Sequence, residues 1–239
     1  MAYLDFDTLL ICNNRFDEES VKYTMEFFKS VGIRKFIFTY EFDRDIKPMS
    51  LAIPKLRSLK PFLSSLAPRG VRIYTAFNVI LSEGVVFEPS FNRLALEHGD
   101  RVFAELPFCN YEAWLESDMN RLLYKNKLKP AFVSFERSFA ICERDMIERF
   151  MTIKKAVFCM DINYLTSIQS TVTLKDFISC GLNILPSVST DIFNYPGIIK
   201  SFDLLKTRIG SQNYVNLCKS FYNSSKEIMA DANYYPRKE

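Results

Sequence analysis

The sequence predicts an α/β protein built on a parallel sheet, open or closed. Short apolar runs alternate with longer helical patterns in seven strand–helix units, and no long linker separates them. Runs such as FIFTY (36–40) and AVFCM (156–160) are apolar on both strand faces. Parallel strands covered by helices read this way, because neither face meets water. Regular β-α alternation in turn places the strands in one parallel sheet.

The strands are expected near 3–11, 35–40, 71–80, 101–106, 130–135, 156–161 and 183–188. The first helix, 17–31, aligns Val21, Met25, Phe28 and Val31 on one face. Asp17, Glu18 and Glu19 complement the positive end of its dipole, and Gly32 ends it. The second, 50–66, repeats the pattern with Ile53, Leu56, Leu63 and Leu66, and the third, 111–125, with Tyr111, Trp114, Met119 and Leu122. Further helices are expected at 143–153, 171–180, 196–209 and 211–222. The stretch 81–100, with Gly84, Pro89 and Gly99, is the one large irregular insertion. Residues 1–239 are expected to form a single domain.

The composition limits the function. With 48% apolar residues and 22 phenylalanines, 239 residues can bury a large core. A net charge of only +3 gives no strong field for nucleic acid, and no Lys/Arg cluster is interleaved with exposed aromatics. No nucleic-acid partner is expected. No run of about 18 apolar residues occurs, so no membrane span is expected. MAYLDFD has no charged segment ahead of an apolar core, so it does not read as a signal peptide. The six cysteines form no CxxC pair and several lie in apolar runs, as reduced thiols of a cytoplasmic protein would. His98, in the insertion, is the one histidine. That scarcity counts against both a transition-metal centre and a histidine base.

In α/β folds of this kind, sites lie at the C-terminal ends of the strands. The polar residues there are Asp5 and Asp7 in LDFDTL, Glu41 after FIFTY, Asn78 in TAFNV and Glu105 in AELPF. The later strands add Ser134, Glu136 and Arg137 in VSFER, Asp161 in FCMDI, and Ser187 to Asp191 in PSVSTD, including Thr190. These residues form the candidate pocket. The segment AFVSFER is the least ordinary, since an apolar run passes into Glu-Arg with no Gly or Pro between.

The motifs also follow a characteristic order. LDFDTL is followed by the acidic NNRFDEES, TYE closes the second strand, AFN the third, and ELPF (105–108) the fourth. KPAFVSFERSF carries the fifth, SVST (187–190) the last, and IGSQNYVNLCKSFYNSSKEIM closes the chain. Over roughly 3–230 this order resembles the polymerase and histidinol phosphatase (PHP) superfamily. The most similar group is the bacterial capsule and exopolysaccharide tyrosine-protein phosphatases. In that family the corresponding motifs are D-x-H-x-H, T-P-H, G-x-E, E-L-P-F, H-P-E-R-Y and S-D-A-H.

The resemblance implies a single (βα)7 TIM-like barrel of PHP type, with two or three metal ions at the strand C-termini, held largely by histidines. In this chain only Glu105 keeps the ligand type. Asp7, Glu41 and Asn78 stand where the family has His, His and Glu, while Leu9, Ser134, Val188 and Thr190 replace strong ligands. Arg137, which would hold phosphate in the family, is retained.

Two readings follow. The first is a catalytically degenerate barrel, a pseudo-phosphatase without a cofactor, with a binding or regulatory role. The resemblance implies a bacterial setting in polysaccharide assembly, with a tyrosine kinase or an assembly component as protein partner. The second is a phosphoesterase whose oxygen ligands Asp7, Glu41, Asn78 and Glu105 hold Mg2+ or Mn2+. The first reading adds a geometric expectation. Without cations the mouth carboxylates need a positive partner, so Arg137 should turn inward as a buried pair with Glu105, or failing that with Asp7 or Glu41.

Overall fold

The computed structural model describes residues 9–13, 17–107, 112–138, 144–167, 170–189 and 195–232. Seven parallel strands close into a barrel in sequential order: β1 Leu9–Asn13, β2 Lys35–Phe42, β3 Arg72–Ile80, β4 Arg101–Glu105, β5 Lys129–Phe132, β6 Val157–Asp161 and β7 Ile184–Ser189. The ring closes where β1 pairs with β7, Ile11 opposite Ser187. The terminal elements are therefore in contact, as expected for a closed sheet.

Eight α-helices occur among the described residues: α1 Glu18–Ser30, α2 Met49–Leu66, α3 Ala113–Asn120, α4 Arg144–Met151, α5 Ile162–Thr166, α6 Ser170–Ser179, α7 Tyr195–Ile209 and α8 Ser211–Ala232. Asp17 caps α1 by accepting from the Ser20 amide at 2.9 Å, as its place ahead of an amphipathic run foretells. The stretch 81–100 resolves into three short 3-10 turns, Val85–Phe87, Phe91–Leu94 and Leu96–His98.

Successive strand residues face opposite sides of the sheet, so the barrel carries two cores. Phe36, Phe38, Phe77, Phe132 and Phe158 point outward and pack under the helices. Ile11, Ile37, Ala76, Phe103, Ala131, Val157, Cys159 and Leu185 fill the lumen. Burial pushes the Cys12 and Cys159 thiols well above the ordinary thiol range, which keeps them as inert neutral side chains. No disulfide joins the described cysteines.

Four expectations are corrected. Among the described residues the first strand runs over Leu9–Asn13, two residues past its expected end at 11; its expected start at 3 lies outside the described residues. The fifth stops at Phe132 instead of continuing to 135. Val188 faces the outer core, fully buried, because β7 turns Leu185 and Ser187 inward and Val188 outward. The last helix runs to Ala232, ten residues past its expected end at 222. The extension keeps one buried stripe, Phe221, Ser224, Ser225, Ile228 and Asp231, at helical spacing.

That stripe covers the N-terminal end of the barrel. Ile228 joins the lumen core beside Leu96. Arg101, the first residue of β4, is 0% exposed and uses all five of its donors. Its Nε and Nη2 donate to Asp231 at 2.9 and 2.7 Å, and Nη2 also to Glu227 at 3.1 Å. Its Nη1 donates to the carbonyls of Pro130 and Lys155 at 3.1 and 2.7 Å. Lys129, the register partner of Arg101, pairs with Asp231 and with Asp100. Gly99 allows α8 to approach: a Cβ there would lie 2.2 Å from the Asp231 carbonyl oxygen.

Candidate functional site at the C-terminal mouth

The inward rows of the strands continue toward the C-terminal end as polar residues. The row Ile37, Thr39, Glu41 continues β2, Ala76 and Asn78 lie on β3, Phe103 and Glu105 on β4, and Cys159 and Asp161 on β6. Glu105 and Asn78 are nearly buried, at 8% and 6% exposure. The barrel itself therefore brings the acidic strand ends around one mouth.

AFVSFER makes its turn at Ser134. The strand ends at Phe132, and Ser134 takes a left-handed backbone at φ 51°, a strained choice for a residue with a Cβ. A 3-10 turn, Phe135–Arg137, follows. Phe135 is 1% exposed and wedges against Phe158 at 4.6 Å and Phe132 at 6.0 Å, so the core anchors the turn. With three residues per turn, its successive side chains diverge. The two charges consequently serve different strands.

Arg137 reaches β4. Its Nη1 donates to Glu105 Oε1 at 2.7 Å. Glu105 Oε2 accepts from Asn78 Nδ2 at 2.9 Å. The partner anticipated first for Arg137 is the one it has. Burial differs from the expectation: the Arg137 side chain is 54% exposed and that of Glu105 10%. The pair stands at the rim, screened on the arginine side by water.

Glu136 turns the other way, toward β6. Its Oε2 accepts from the Asp161 amide at 3.2 Å. Burial pushes its carboxyl up to about 7, against hydrogen bonds from its own amide and that of Asp161, and the Asp161 charge adds to the rise. Asp161 caps the short helix α5 by accepting from the Asn163 amide at 2.7 Å. Burial likewise raises the Tyr164 hydroxyl on that helix, with a smaller contribution from Glu136.

Two groups of candidates are thus in direct contact, Asn78–Glu105–Arg137 and Glu136–Asp161, joined through consecutive residues of one turn. Ser134 sets the direction of that turn. Glu41 lies opposite Asn78 in strand register and is exposed. Asp5, Asp7 and Thr190 lie outside the described residues. Two mouth residues escaped the sequence reading, Thr39, 2% exposed, and Tyr164. The signal for Thr39 was its place between Ile37 and Glu41 on the inward row. The signal for Tyr164 was the Asp161 cap opening a helix at INYLT.

The described residues do not fit the metal centre that the resemblance implies. No group of three or more His, Cys, Asp or Glu converges among them. Both oxygens of Glu105 are engaged by Arg137 and Asn78, and an arginine beside a ligand carboxylate competes with a cation for the same lone pairs. One feature runs the other way: Asn78 Oδ1 is buried with no hydrogen-bond partner among the described residues.

No family model matches the sequence, and no curated protein sequence matches it either. Among solved structures, the chain is similar to one from the crystal structures of YwqE from Bacillus subtilis and CpsB from Streptococcus pneumoniae, unique metal-dependent tyrosine phosphatases. The TM-score is 0.59 at 14% identity, over 92% of this chain and 90% of the other. At that identity the likeness speaks for the fold. The chain has a closed, seven-stranded parallel α/β barrel, the TIM-like architecture shared with that structure.

Proposed function

We propose that this protein is a pseudo-phosphatase: a PHP-type barrel that binds a partner at or near its mouth without hydrolysing phosphate. The observation that supports this reading is the Glu105 carboxylate, held on one oxygen by Arg137 and on the other by Asn78. A guanidinium there supplies charge neutralisation that a cation would otherwise supply. It does not lower the pKa of a bound water or act as a Lewis acid on a phosphoryl oxygen. In this reading the barrel carries no metal cofactor. Its partner is a tyrosine kinase or a component of polysaccharide assembly in the bacterial cytoplasm, by analogy with the tyrosine phosphatases that share the fold.

The orphaned Asn78 Oδ1, with Glu41, Glu105 and Asp161 around the same mouth, favours a second reading, a phosphoesterase with an oxygen-ligand Mg2+ or Mn2+ site. Turnover of a phosphotyrosyl peptide, measured without metal and with added Mg2+ or Mn2+, separates the two. The first reading gives rates at the uncatalysed background in every case, unchanged by Glu105→Gln. Metal-dependent turnover that Glu105→Gln abolishes establishes the second.

A further inference from the structure

We propose that a cationic groove on the outer flank of the barrel docks an acidic amphipathic segment of a partner protein. The groove, about 800 Å3, runs between α3 with its π-helical continuation Arg121–Lys125 on one side and α4 with the loop 152–156 on the other. Its floor is apolar, built on the buried Leu115, Met119, Leu128 and Phe150 and the partly buried Leu123 and Ile153. Its rim is basic. Lys127, Lys154 and Lys155 are exposed along it, and the Arg149 guanidinium lies 3.4 Å from Glu116, the one acid that lines it.

The backbone holds this arrangement in place. The π-turn is closed by the Asn126 amide on the Arg121 carbonyl at 2.9 Å and the Leu128 amide on the Leu122 carbonyl at 2.9 Å. Lys127 and Lys155 have φ of 56° and 63°, two of the four positive-φ residues other than glycine among the described ones. A left-handed lysine is strained and persists only where its surroundings over-determine it. At Lys155 the surroundings include Arg101, whose Nη1 donates to its carbonyl at 2.7 Å. The buried network at the barrel base thereby fixes one rim cation of an otherwise exposed surface.

Charge complementarity selects the occupant. A recessed apolar floor under a lysine rim matches a helix that presents aliphatic side chains at i, i+3, i+4 and i+7 and carboxylates on its flanks. A flat anionic bilayer would meet the lysines and leave the floor unfilled. The groove lies away from the Glu105–Arg137 mouth, so the inference stands whichever reading of the mouth holds.

The test uses a fluorescently labelled, designed peptide of about four helical turns, with leucines on one face and glutamates elsewhere. Its lysine counterpart and vesicles of phosphatidylcholine with phosphatidylserine serve as comparisons. Anisotropy should show saturable binding of the acidic peptide, weakened by salt and weakened about tenfold or more in Lys127→Glu/Lys154→Glu. Both residues are exposed, and an unchanged melting temperature verifies that the variant folds. Leu123→Asn should also weaken binding without shifting the salt dependence. Absence of binding, equal binding of the lysine peptide, indifference to the charge reversal, or binding to vesicles alone would overturn the proposal.

Discussion

Arg101 and Arg137 stand at opposite ends of the same barrel, each facing carboxylates, yet their surroundings share little. Arg101 is 0% exposed and spends all five donors on Asp231, Glu227 and two carbonyls. Arg137 is 54% exposed, and its Nη1 meets one oxygen of Glu105. The base ties α8 to β4 and β5 with saturated donors. The mouth keeps a strained Ser134, a carboxyl raised to about 7 at Glu136 and an orphaned Asn78 Oδ1. What favours the mouth as the binding end is the raised Glu136 carboxyl among converging acidic strand ends; orphaned atoms occur at the base as well, at Asp100 Oδ1 and Ser224 Oγ.

The contrast predicts unequal costs. Arg101→Ala strands Asp231 and Glu227 against a closed base, and chemical denaturation should show a loss of about 3–5 kcal/mol. A loss under about 1 kcal/mol would mean the base network is incidental. Gly99→Ala, which drives a Cβ into the Asp231 carbonyl, should cost about 1–3 kcal/mol, because the neighbour is backbone and cannot rotate away.

Glu136 is comparable, on the order of 3 kcal/mol. Its folded pKa, about 7, lies above the ordinary 4.5. Between those values the unfolded chain has released the proton and the folded chain retains it. Stability therefore falls as pH rises from about 4.5 to 7 and levels off above. Glu136→Gln should remove that decline and melt higher than the parent at pH 8. Parallel pH profiles for the two proteins would show the carboxyl to be solvated. The smallest effect is at the mouth pair. Arg137→Ala should cost about 1 kcal/mol, because water screens the guanidinium. Glu105→Gln in that background should restore part of it. A loss as large as that of Arg101→Ala would erase the contrast between the ends.

The sequence exposed the two ends unequally as well. The Glu105–Arg137 contact was legible because the family resemblance put both residues at the mouth, where carboxylates without cations need a positive partner. β2 and β6 were legible from FIFTY and AVFCM, which are apolar on both faces. The base was not. Arg101 reads as an ordinary polar residue opening a strand, and its partners lie 126 and 130 residues away, a separation that no local pattern reveals. The same blindness ended the last helix too early. Ser224, Ser225 and Asp231 look like a solvated tail until the barrel base they cover is known. At the mouth, the turn at Ser134 was hidden because nothing but tertiary packing of Phe135 forces a serine left-handed.

The central claim is that an internal ion pair stands at the mouth in place of bound cations. Elemental analysis of protein purified without chelators, run beside Glu105→Gln, tests it most directly. The account predicts zinc, iron and manganese far below one per chain in both proteins, with no difference between them. Stoichiometric metal in the parent that is lost in Glu105→Gln would contradict it.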